Sequence, residues 1–366
     1  MKFNIAKNDI LAALDIVLKG VSSRSSMPIL ACVLIEAQQE GNIVLQTTDL
    51  EISIKHTAQA DVIEPGRVVI PAKVFSDIVR NLPEAAVSIS SENDQVQIAC
   101  MDTSYTLSTL NPMDFPYFPE VDVATKIALP TDQLSSAVKK VGKAVSRDEA
   151  RMILTGILFE VLEGEVRLVA TDSYRLAVAS MKVDAGLSEE FKAIIPGKTF
   201  EDVARAASAN DEISIGFSEN QVVFEFGSTI FISRKIEGTY PNYRQLIPAD
   251  HAVTVTVATD ALETALKRVA ILVQAQTPVK FEFDAEEQTI LISSHTDDVG
   301  GAKESVEAKI EGESITMAFN HRYILDGLDS VSGDTVLELQ TPVRPGIIKS
   351  SEDDGFFYLA MPVRLS

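Results

Sequence analysis

Cysteine and long apolar runs are scarce in this 366-residue chain. The two cysteines, Cys32 and Cys100, provide neither a disulfide framework nor a metal-binding pattern. Both lie in apolar segments typical of buried thiols in a reducing cytosol. No apolar run approaches the roughly 18 residues that a membrane span needs, and the N-terminal stretch MKFNIAKNDI lacks the apolar core of a signal peptide. We therefore predict a cytoplasmic protein that binds no membrane.

Positive charge is also in short supply. The chain has 32 lysines and arginines against 53 aspartates and glutamates, which gives a net charge of -21. An ordinary nucleic-acid-binding protein carries a basic surface. Any contact of this chain with nucleic acid must therefore be local, or must not depend on net attraction.

The motifs of common enzymes are missing as well. The sequence has no Gly-rich phosphate-binding loop, no zinc-ligand spacing and no G-x-S-x-G motif. His295, next to Asp297 and Asp298, could bind a metal, although a solvated turn is the alternative. The other histidines are scattered among predicted strand ends and loops: His56, His251 and His321. We predict no catalytic residue, no metal and no cofactor.

What the chain does contain is one pattern of helices and strands in three copies. Pro71, Pro196 and Asn320 each precede the second helix of a copy, and they lie 125 and then 124 residues apart. Order, spacing and turn positions agree between copies, which indicates tandem repeats. Runs of strands with two helices per copy predict an α+β fold, with the helices of each domain on one side of antiparallel sheet. The predicted helices cover residues 9–18, 71–82, 130–147, 201–207, 259–273 and 322–328.

The repeats also predict the domain boundaries. We place three domains at residues 1–120, 127–248 and 249–366. Proline-containing connectors at 111–120 and 238–248 separate them.

An aspartate ends a matching strand in each repeat, at Asp49, Asp172 and Asp297. Asp49 and Glu51 could form a carboxylate pair, but a group that recurs once per copy favours a turn. The sequence therefore favours a scaffold or binding protein. The alternative from another class is a hydrolase or transferase with its active site around Asp172, Tyr174 and Arg175.

The helix predicted at 130–147 carries a basic stripe. Thr131 or Asp132 would cap it. One face is apolar, with Leu134, Ala137, Val138, Val141 and Val145. The opposite side carries Lys139, Lys140, Lys143 and Arg147, and Arg151 would extend the stripe if the helix continued. A solvated face is the simpler interpretation of such a stripe.

The repeats favour a function for this charge. Other basic residues near the predicted helices are Arg24, Lys73, Arg80, Lys198, Arg205, Lys267 and Arg268, while strands carry acids such as Glu160 and Glu225. If helices from all copies face one centre, they form a positive surface that suits phosphates without reading bases. An acidic protein that binds DNA weakly can still stay on it by encircling it.

The whole chain resembles the bacterial sliding-clamp family, the beta subunit of DNA polymerase III. The motifs that carry the resemblance include MKFNI, Thr47-Thr-Asp-Leu50, Thr171-Asp-Ser-Tyr-Arg-Leu-Ala177, Tyr240-Pro-Asn-Tyr-Arg-Gln-Leu-Ile-Pro248 and Met361-Pro-Val-Arg-Leu365. The resemblance implies three tandem clamp-fold domains in a head-to-tail homodimer, a six-domain ring lined by twelve helices. It implies a non-catalytic processivity factor in DNA replication, and the alternative is a clamp paralogue that serves repair or drug resistance.

The resemblance also implies partners and a binding cleft. The partners are double-stranded DNA, bound without sequence specificity in the bacterial nucleoid, and proteins with short peptide motifs: the DNA polymerase III alpha subunit, the clamp loader, other polymerases, and repair and ligase proteins. The cleft would contain Leu154, Thr171, Ser173, Tyr174, Arg175, Leu176, Pro241, Gln245, Leu246, Tyr323, Met361, Pro362, Val363, Arg364 and Leu365.

The chain departs from the family pattern near this cleft. Tyr174 stands where histidine is frequent, Gln245 where a second arginine is common, and Ser366 extends the usual ending. These differences bear on peptide preference. Without the resemblance, Leu176 and Met361 would be interpreted as ordinary core residues of strands.

The dimer contact carries over from the same resemblance. Ile78, Leu82, Tyr105 and Leu107 would meet Ile271 and Leu272 of the partner subunit. One observation supports this independently, because Ile271 falls off the apolar face of its predicted helix, and an exposed apolar residue is a frequent mark of an interface.

Overall fold

The computed structural model describes residues 1–22, 26–183, 190–274, 277–296 and 300–364. The predictions made for Arg24, Asp297, Asp298, Leu365 and Ser366 lie outside these residues. The chain divides into two compact units, Met1–Asp132 with Asp202–Lys235, and Gln133–Glu201 with Ile236–Ser366. The three domain boundaries stay a prediction. None of the helices in the described part of the chain is long and apolar enough to cross a membrane.

The described residues form six α-helices, two in each predicted repeat. They are α1 (Lys7–Val17), α2 (Ala72–Asn81), α3 (Thr131–Gly142), α4 (Gly197–Ala207), α5 (Thr259–Val269) and α6 (His321–Leu328).

The strands follow in chain order. The first ten are β1 (Lys2–Ala6), β2 (Cys32–Gln38), β3 (Asn42–Thr48), β4 (Ile52–Gln59), β5 (Asp61–Glu64), β6 (Gly66–Pro71), β7 (Ala86–Glu92), β8 (Gln95–Cys100), β9 (Thr103–Ser108) and β10 (Thr125–Pro130). Next come β11 (Gly156–Leu162), β12 (Glu165–Thr171), β13 (Arg175–Met181), β14 (Phe191–Pro196), β15 (Glu212–Phe217), β16 (Gln221–Phe226), β17 (Thr229–Arg234) and β18 (Val253–Val257). The last are β19 (Val279–Asp284), β20 (Thr289–Thr296), β21 (Gly300–Glu307), β22 (Lys309–Glu311), β23 (Ile315–Phe319), β24 (Thr335–Leu339), β25 (Gly346–Ser350) and β26 (Phe356–Ala360).

Each unit contains two antiparallel sheets. In the first unit the strand orders are β5-β1-β7-β8-β9 and β10-β15-β16-β17-β4-β3-β2-β6. In the second they are β14-β11-β12-β13-β26-β25-β24-β18-β22 and β21-β20-β19-β23. β13 pairs with β26, so one sheet joins strands from the second and third repeats. This α+β architecture confirms the predicted fold class.

Helices and strands bury the faces that their periodicity predicts. In α2, Phe75 and Val79 are fully buried one turn apart. In α4, Phe200 is fully buried, and its ring lies 6.3 Å from that of Phe159 on β11. Gly327 lets α6 approach its sheet closely, because a Cβ there would meet the ring of Tyr358 at 2.9 Å.

The basic helix is shorter than we predicted. α3 ends at Gly142, after which the amides of Ala144 and Val145 donate to carbonyls only three residues back. Such bonds are those of a 3₁₀-type turn, which ends the 3.6-residue period. The predicted helix at 130–147 is therefore too long, Arg147 lies beyond its end, and the condition under which Arg151 would extend the stripe is not met. That both residues face DNA stays a prediction. The hydroxyl of Thr131, one of two expected caps, is buried and makes no hydrogen bond.

The strand-ending aspartates form turns. Oδ1 of Asp49 accepts hydrogen bonds from the amides of Glu51 and Ile52, at 3.0 and 2.7 Å. Oδ1 of Asp172 accepts from the amides of Tyr174 and Arg175, at 2.9 and 3.1 Å. The same bonds in two repeats support the turn interpretation over a carboxylate pair.

Candidate partner-binding site and basic helices

The turn between β12 and β13 forms one wall of the candidate site. Asp172 fixes this turn, and Ser173 adopts a left-handed conformation with φ of 81°. The hydroxyl of Thr171 donates to the carbonyl of Arg175 at 2.6 Å and accepts from the amide of Ser173. These bonds leave the side chain of Tyr174 59% exposed at the tip of the turn.

Arg175 links the turn to the third repeat. Its Nε lies 2.9 Å from Oδ2 of Asp172, and its Nη1 contacts the carboxylate of Asp326 on α6. Nη1 also donates to the hydroxyl of Tyr358 at 3.3 Å. Burial by itself would lower the pKa of Arg175, but these oxygens outweigh it and raise the pKa above its usual value. The guanidinium therefore stays charged and holds the two repeats together at this point.

One tyrosine contacts this arginine, and a second tyrosine stacks on the first. The guanidinium of Arg175 lies 4.6 Å from the ring centre of Tyr323, a cation–π contact. The ring of Tyr323 stacks in turn on Tyr174, with centres 6.5 Å apart. The exposed side chain of Tyr174 and the partly exposed ring of Tyr323 offer apolar surface next to a charged arginine, which suits an apolar side chain or the backbone of a peptide.

The C-terminal segment lies against the same turn. The amide of Met361 donates to the carbonyl of Tyr174 at 2.9 Å, and the amide of Val363 donates to the carbonyl of Ala318 at 2.8 Å. The side chains of Met361 and Val363 remain partly exposed. The segment therefore spans from the second repeat to the third, and it adds apolar surface to the site.

The connector after β17 supplies another part of the surface. The hydroxyl of Tyr240 accepts a hydrogen bond from the amide of Thr171 at 3.1 Å. Tyr243 is buried and donates at 2.6 Å to Glu160, a carboxylate that is only 1% exposed. Arg244 and Lys192 also pair with this glutamate. The connector is thus held by a buried charge network, while its neighbours Pro241, Gln245 and Leu246 remain exposed.

The structure connects six of the fourteen predicted cleft residues that it describes. Direct contacts connect Thr171, Ser173, Tyr174, Arg175, Tyr323 and Met361. Leu154 and Leu176 are buried, and Leu176 belongs to the apolar cluster with Tyr240 and Leu359. Leu176 is therefore a core residue of its strand, which is the interpretation that the sequence gives without the resemblance. Leu365 lies outside the described residues.

Sequence reasoning missed the residues that support the site. No sequence motif points to Asp326, Tyr358 or Glu160. Each acts through a hydrogen bond to a residue more than 80 positions away in the sequence. Arg151 was predicted to face DNA. That assignment stays a prediction, and in the structure its Nη1 donates to the carbonyl of Asp172 and the hydroxyl of Ser173, at 3.2 and 3.1 Å. It therefore supports the turn.

The basic residues that were predicted to face DNA fall into two groups within the described part of the chain. Five are exposed and make no ion pair with a described residue: Lys73, Lys139, Arg147, Lys198 and Arg205. The others are paired: Arg80 with Asp15, Lys140 with Asp353, Lys143 with Asp329, Arg151 with Asp148, Lys267 with Glu263, and Arg268 with Glu304. Carboxylates therefore neutralise more of the positive charge than the sequence indicated.

The predicted dimer residues differ in exposure. Ile271 is 78% exposed, in a 3₁₀ turn (Ala270–Leu272) that follows α5. Leu272, Ile78 and Leu107 are half-buried, and Tyr105 is exposed on β9, the edge strand of its sheet. Leu82 is buried within the chain, so it has little surface to offer a second subunit.

The alternative of an active site around Asp172 finds no support. Both oxygens of Asp172 are bound, one by two turn amides and the other by Arg175. Within the described residues, no group of three or more histidines, cysteines or carboxylates could hold a metal ion. The possible metal site at His295 would need Asp297 and Asp298, and both lie outside the described residues.

Comparisons with known proteins agree along the whole chain. Three family profiles match: the N-terminal, central and C-terminal domains of the DNA polymerase III beta subunit, at residues 1–119, 128–242 and 244–364. The beta sliding clamps of Staphylococcus aureus and Bacillus subtilis are each 32% identical, with 100% of this chain covered and 99% and 100% of theirs. The solved Bacillus subtilis DNA polymerase sliding clamp is 31% identical with a TM-score of 0.93, and both chains are covered completely. A Pseudomonas aeruginosa sliding clamp solved with bound griselimycin is 26% identical with a TM-score of 0.94, again over both whole chains. This chain therefore belongs to the DNA polymerase III beta subunit family.

Proposed function

We propose that this protein is a sliding clamp, which encircles duplex DNA and tethers a replicative polymerase to it. The observation that carries the proposal is the full-length match of all three repeats to the clamp family. Two copies, head to tail, would close a ring of six domains. The clamp itself would perform no chemistry, and it would confer processivity by raising the local concentration of polymerase at the primer end.

The edges of two sheets support a head-to-tail contact. β9 ends one sheet of the first unit, and β21 ends the four-stranded sheet of the second. An edge strand has unpaired backbone groups that can pair with another chain. Tyr105 on β9 and the exposed Ile271 would add apolar contact between the subunits.

The second part of the proposal concerns protein partners. Short apolar peptide segments of polymerases and of other DNA-processing proteins would dock on the surface formed by Tyr174, Tyr323 and Met361. A rigid turn, a charged arginine beneath stacked rings and the apolar C-terminal segment support this assignment. Tyr174 and Gln245 would set the preference among peptides, because both side chains are exposed at this surface.

Retention on circular DNA tests the ring directly. Labelled protein, loaded onto a nicked circular plasmid by a clamp loader, should remain bound during gel filtration at physiological salt and should be lost once the plasmid is linearised. Equal loss from circular and linear DNA would refute topological binding.

A truncation tests the peptide surface separately. Removal of residues 361–366 should abolish binding of a polymerase tail peptide, measured by fluorescence anisotropy, while the purified protein keeps its dimeric mass. Replacing the exposed Met113, which lies far from these residues in sequence, by alanine is the control and should leave peptide binding unchanged. Unchanged peptide binding by the truncated protein would refute the assignment.

A further inference from the structure

Lysines on α3 and directly after it lie among carboxylates of the third repeat. Nζ of Lys143 is 2.7 Å from Oδ2 of Asp329, which follows α6, and Nζ of Lys140 is 2.5 Å from Oδ2 of Asp353. Lys140 also lies over the ring of Phe356, 5.4 Å from its centre. Of the three lysines at 139, 140 and 143, two are therefore neutralised by the protein itself.

The two ion pairs differ in their access to solvent. The side chain of Lys140 is 19% exposed, and its ammonium group contacts both Asp353 and the ring of Phe356, so this pair acts as a fixed tie. The side chains of Lys143 and Asp329 are 33% and 49% exposed. An exposed ion pair contributes little net free energy because water solvates both partners well. Lys143 can therefore leave Asp329 when another anion is offered.

Asp329 lies in the field of several cations. Its pKa is lowered chiefly by the hydrogen bond from Lys143 and further by the charges of Lys143, Lys139 and Lys267, although burial opposes the shift. A cavity of about 170 Å³ opens beside it. Its lining consists of Ser136, Lys139, Lys140, Lys143, Asp329, Ser330, Val331 and Ser332. Ammonium groups and hydroxyls that converge on one space are suited to a phosphate.

We propose that Asp329 competes with DNA phosphates for Lys143 and thereby weakens the grip of the clamp on DNA. A phosphate that approaches this cavity must displace the carboxylate from Lys143 and is repelled by it. Each contact therefore forms and breaks readily, which favours sliding over static binding. This inference rests on the proposed function, because it requires α3 to meet the duplex.

The salt dependence of DNA binding tests the competition. Association of the whole protein with a short linear duplex would be measured by fluorescence anisotropy over a series of salt concentrations. In Asp329→Asn, Lys143 is no longer neutralised. We expect the slope of log K against log salt to steepen by about 0.9, the value for one additional phosphate contact, and the affinity at low salt to rise several-fold.

Two further variants assign the effect to Lys143. Lys143→Gln should lower the affinity only slightly and flatten the slope by less than one full phosphate contact, because Asp329 already neutralises most of the charge of this lysine. The double variant of Asp329→Asn with Lys143→Gln should lose the steeper slope. A double variant as steep as Asp329→Asn, or a strong loss of affinity in Lys143→Gln alone, would overturn the proposal.

Glu225→Gln is the matched control for net charge. Glu225 on β16 pairs with Lys126 at 2.7 Å, both side chains are about half exposed, and its replacement changes the net charge by the same amount. It should leave the slope unchanged, and an equal steepening would show that only bulk charge matters and would overturn the proposal. Wild-type protein without any DNA binding would instead refute the proposed function. Unchanged binding in Asp329→Asn, with a binding wild type, would refute the competition alone.

Discussion

Replacement of Arg175 by alanine should loosen the junction between the second and third repeats. Arg175 pairs with Asp172 and Asp326 at a site where its own side chain is 13% exposed. Removal of one partner from a buried ion pair costs about 3–5 kcal/mol, because the remaining charge is left without compensation. Asp326 is partly open to water, so we expect the lower end, about 3 kcal/mol. That free energy corresponds to an increase of roughly 100-fold in the population of locally opened molecules.

Hydrogen–deuterium exchange measures this opening where it occurs. The amides of Tyr174 and Arg175 are held by Asp172, and the amide of Met361 is held by the carbonyl of Tyr174. In Arg175→Ala these amides should exchange about 100-fold faster, while those of distant strands keep their rates. Arg175→Lys keeps the charge but not the planar fork, and it should give an intermediate increase.

Arg234→Ala is the matched control. Arg234 pairs with Glu51 at 3.6 Å, and both side chains are mostly exposed, so its loss should cost at most about 1 kcal/mol. Amide exchange in Arg175→Ala no faster than in Arg234→Ala would show that the junction does not depend on the arginine, and the reasoning would be wrong.

Three other changes follow from the structure. Phe200→Ala should lower the free energy of unfolding by about 3–5 kcal/mol in denaturant titration, because a fully buried ring would leave a cavity, and a loss below 1 kcal/mol would contradict the packing. Tyr323→Ala should weaken tail-peptide binding by about 3- to 10-fold in fluorescence anisotropy, since the stack with Tyr174 is lost, and unchanged affinity would exclude the rings from the site. Burial lowers the pKa of His56, so the folded state binds its proton less readily than the unfolded state. The melting temperature should therefore fall as the pH drops below about 6.5. The melting temperature of His56→Gln should fall less steeply over the same pH series.

The sequence by itself determined the repeats and the class of fold. Turn prolines, strand-ending aspartates and the apolar faces of helices are local signals, because each reflects the dihedral angles or periodicity of a short segment. They predicted α2 and α6 almost to the residue, and they indicated the turn at Asp172 that the hydrogen bonds form. The resemblance added the function, since it depends on motifs that span the whole chain.

Helix ends and charge partners required the tertiary structure. The apolar and basic pattern of α3 continues past Gly142, yet the backbone turns there, so Arg147 and Arg151 leave the stripe. The sequence predicted that the lysines between residues 130 and 147 form one continuous basic stripe. In the fold, Lys140 and Lys143 pair with Asp353 and Asp329, which lie about 200 residues away along the chain.

The same limit applies to the candidate binding site. Tyr174 and Met361 could be named from their motifs, but Asp326, Tyr358 and Glu160 could not. Helix periodicity and turn chemistry act over a few residues, whereas electrostatic pairing and buried hydrogen bonds depend on which distant segments the fold brings together. The sequence therefore determined the elements and the family, and only the tertiary structure decided which charges remain available to a partner.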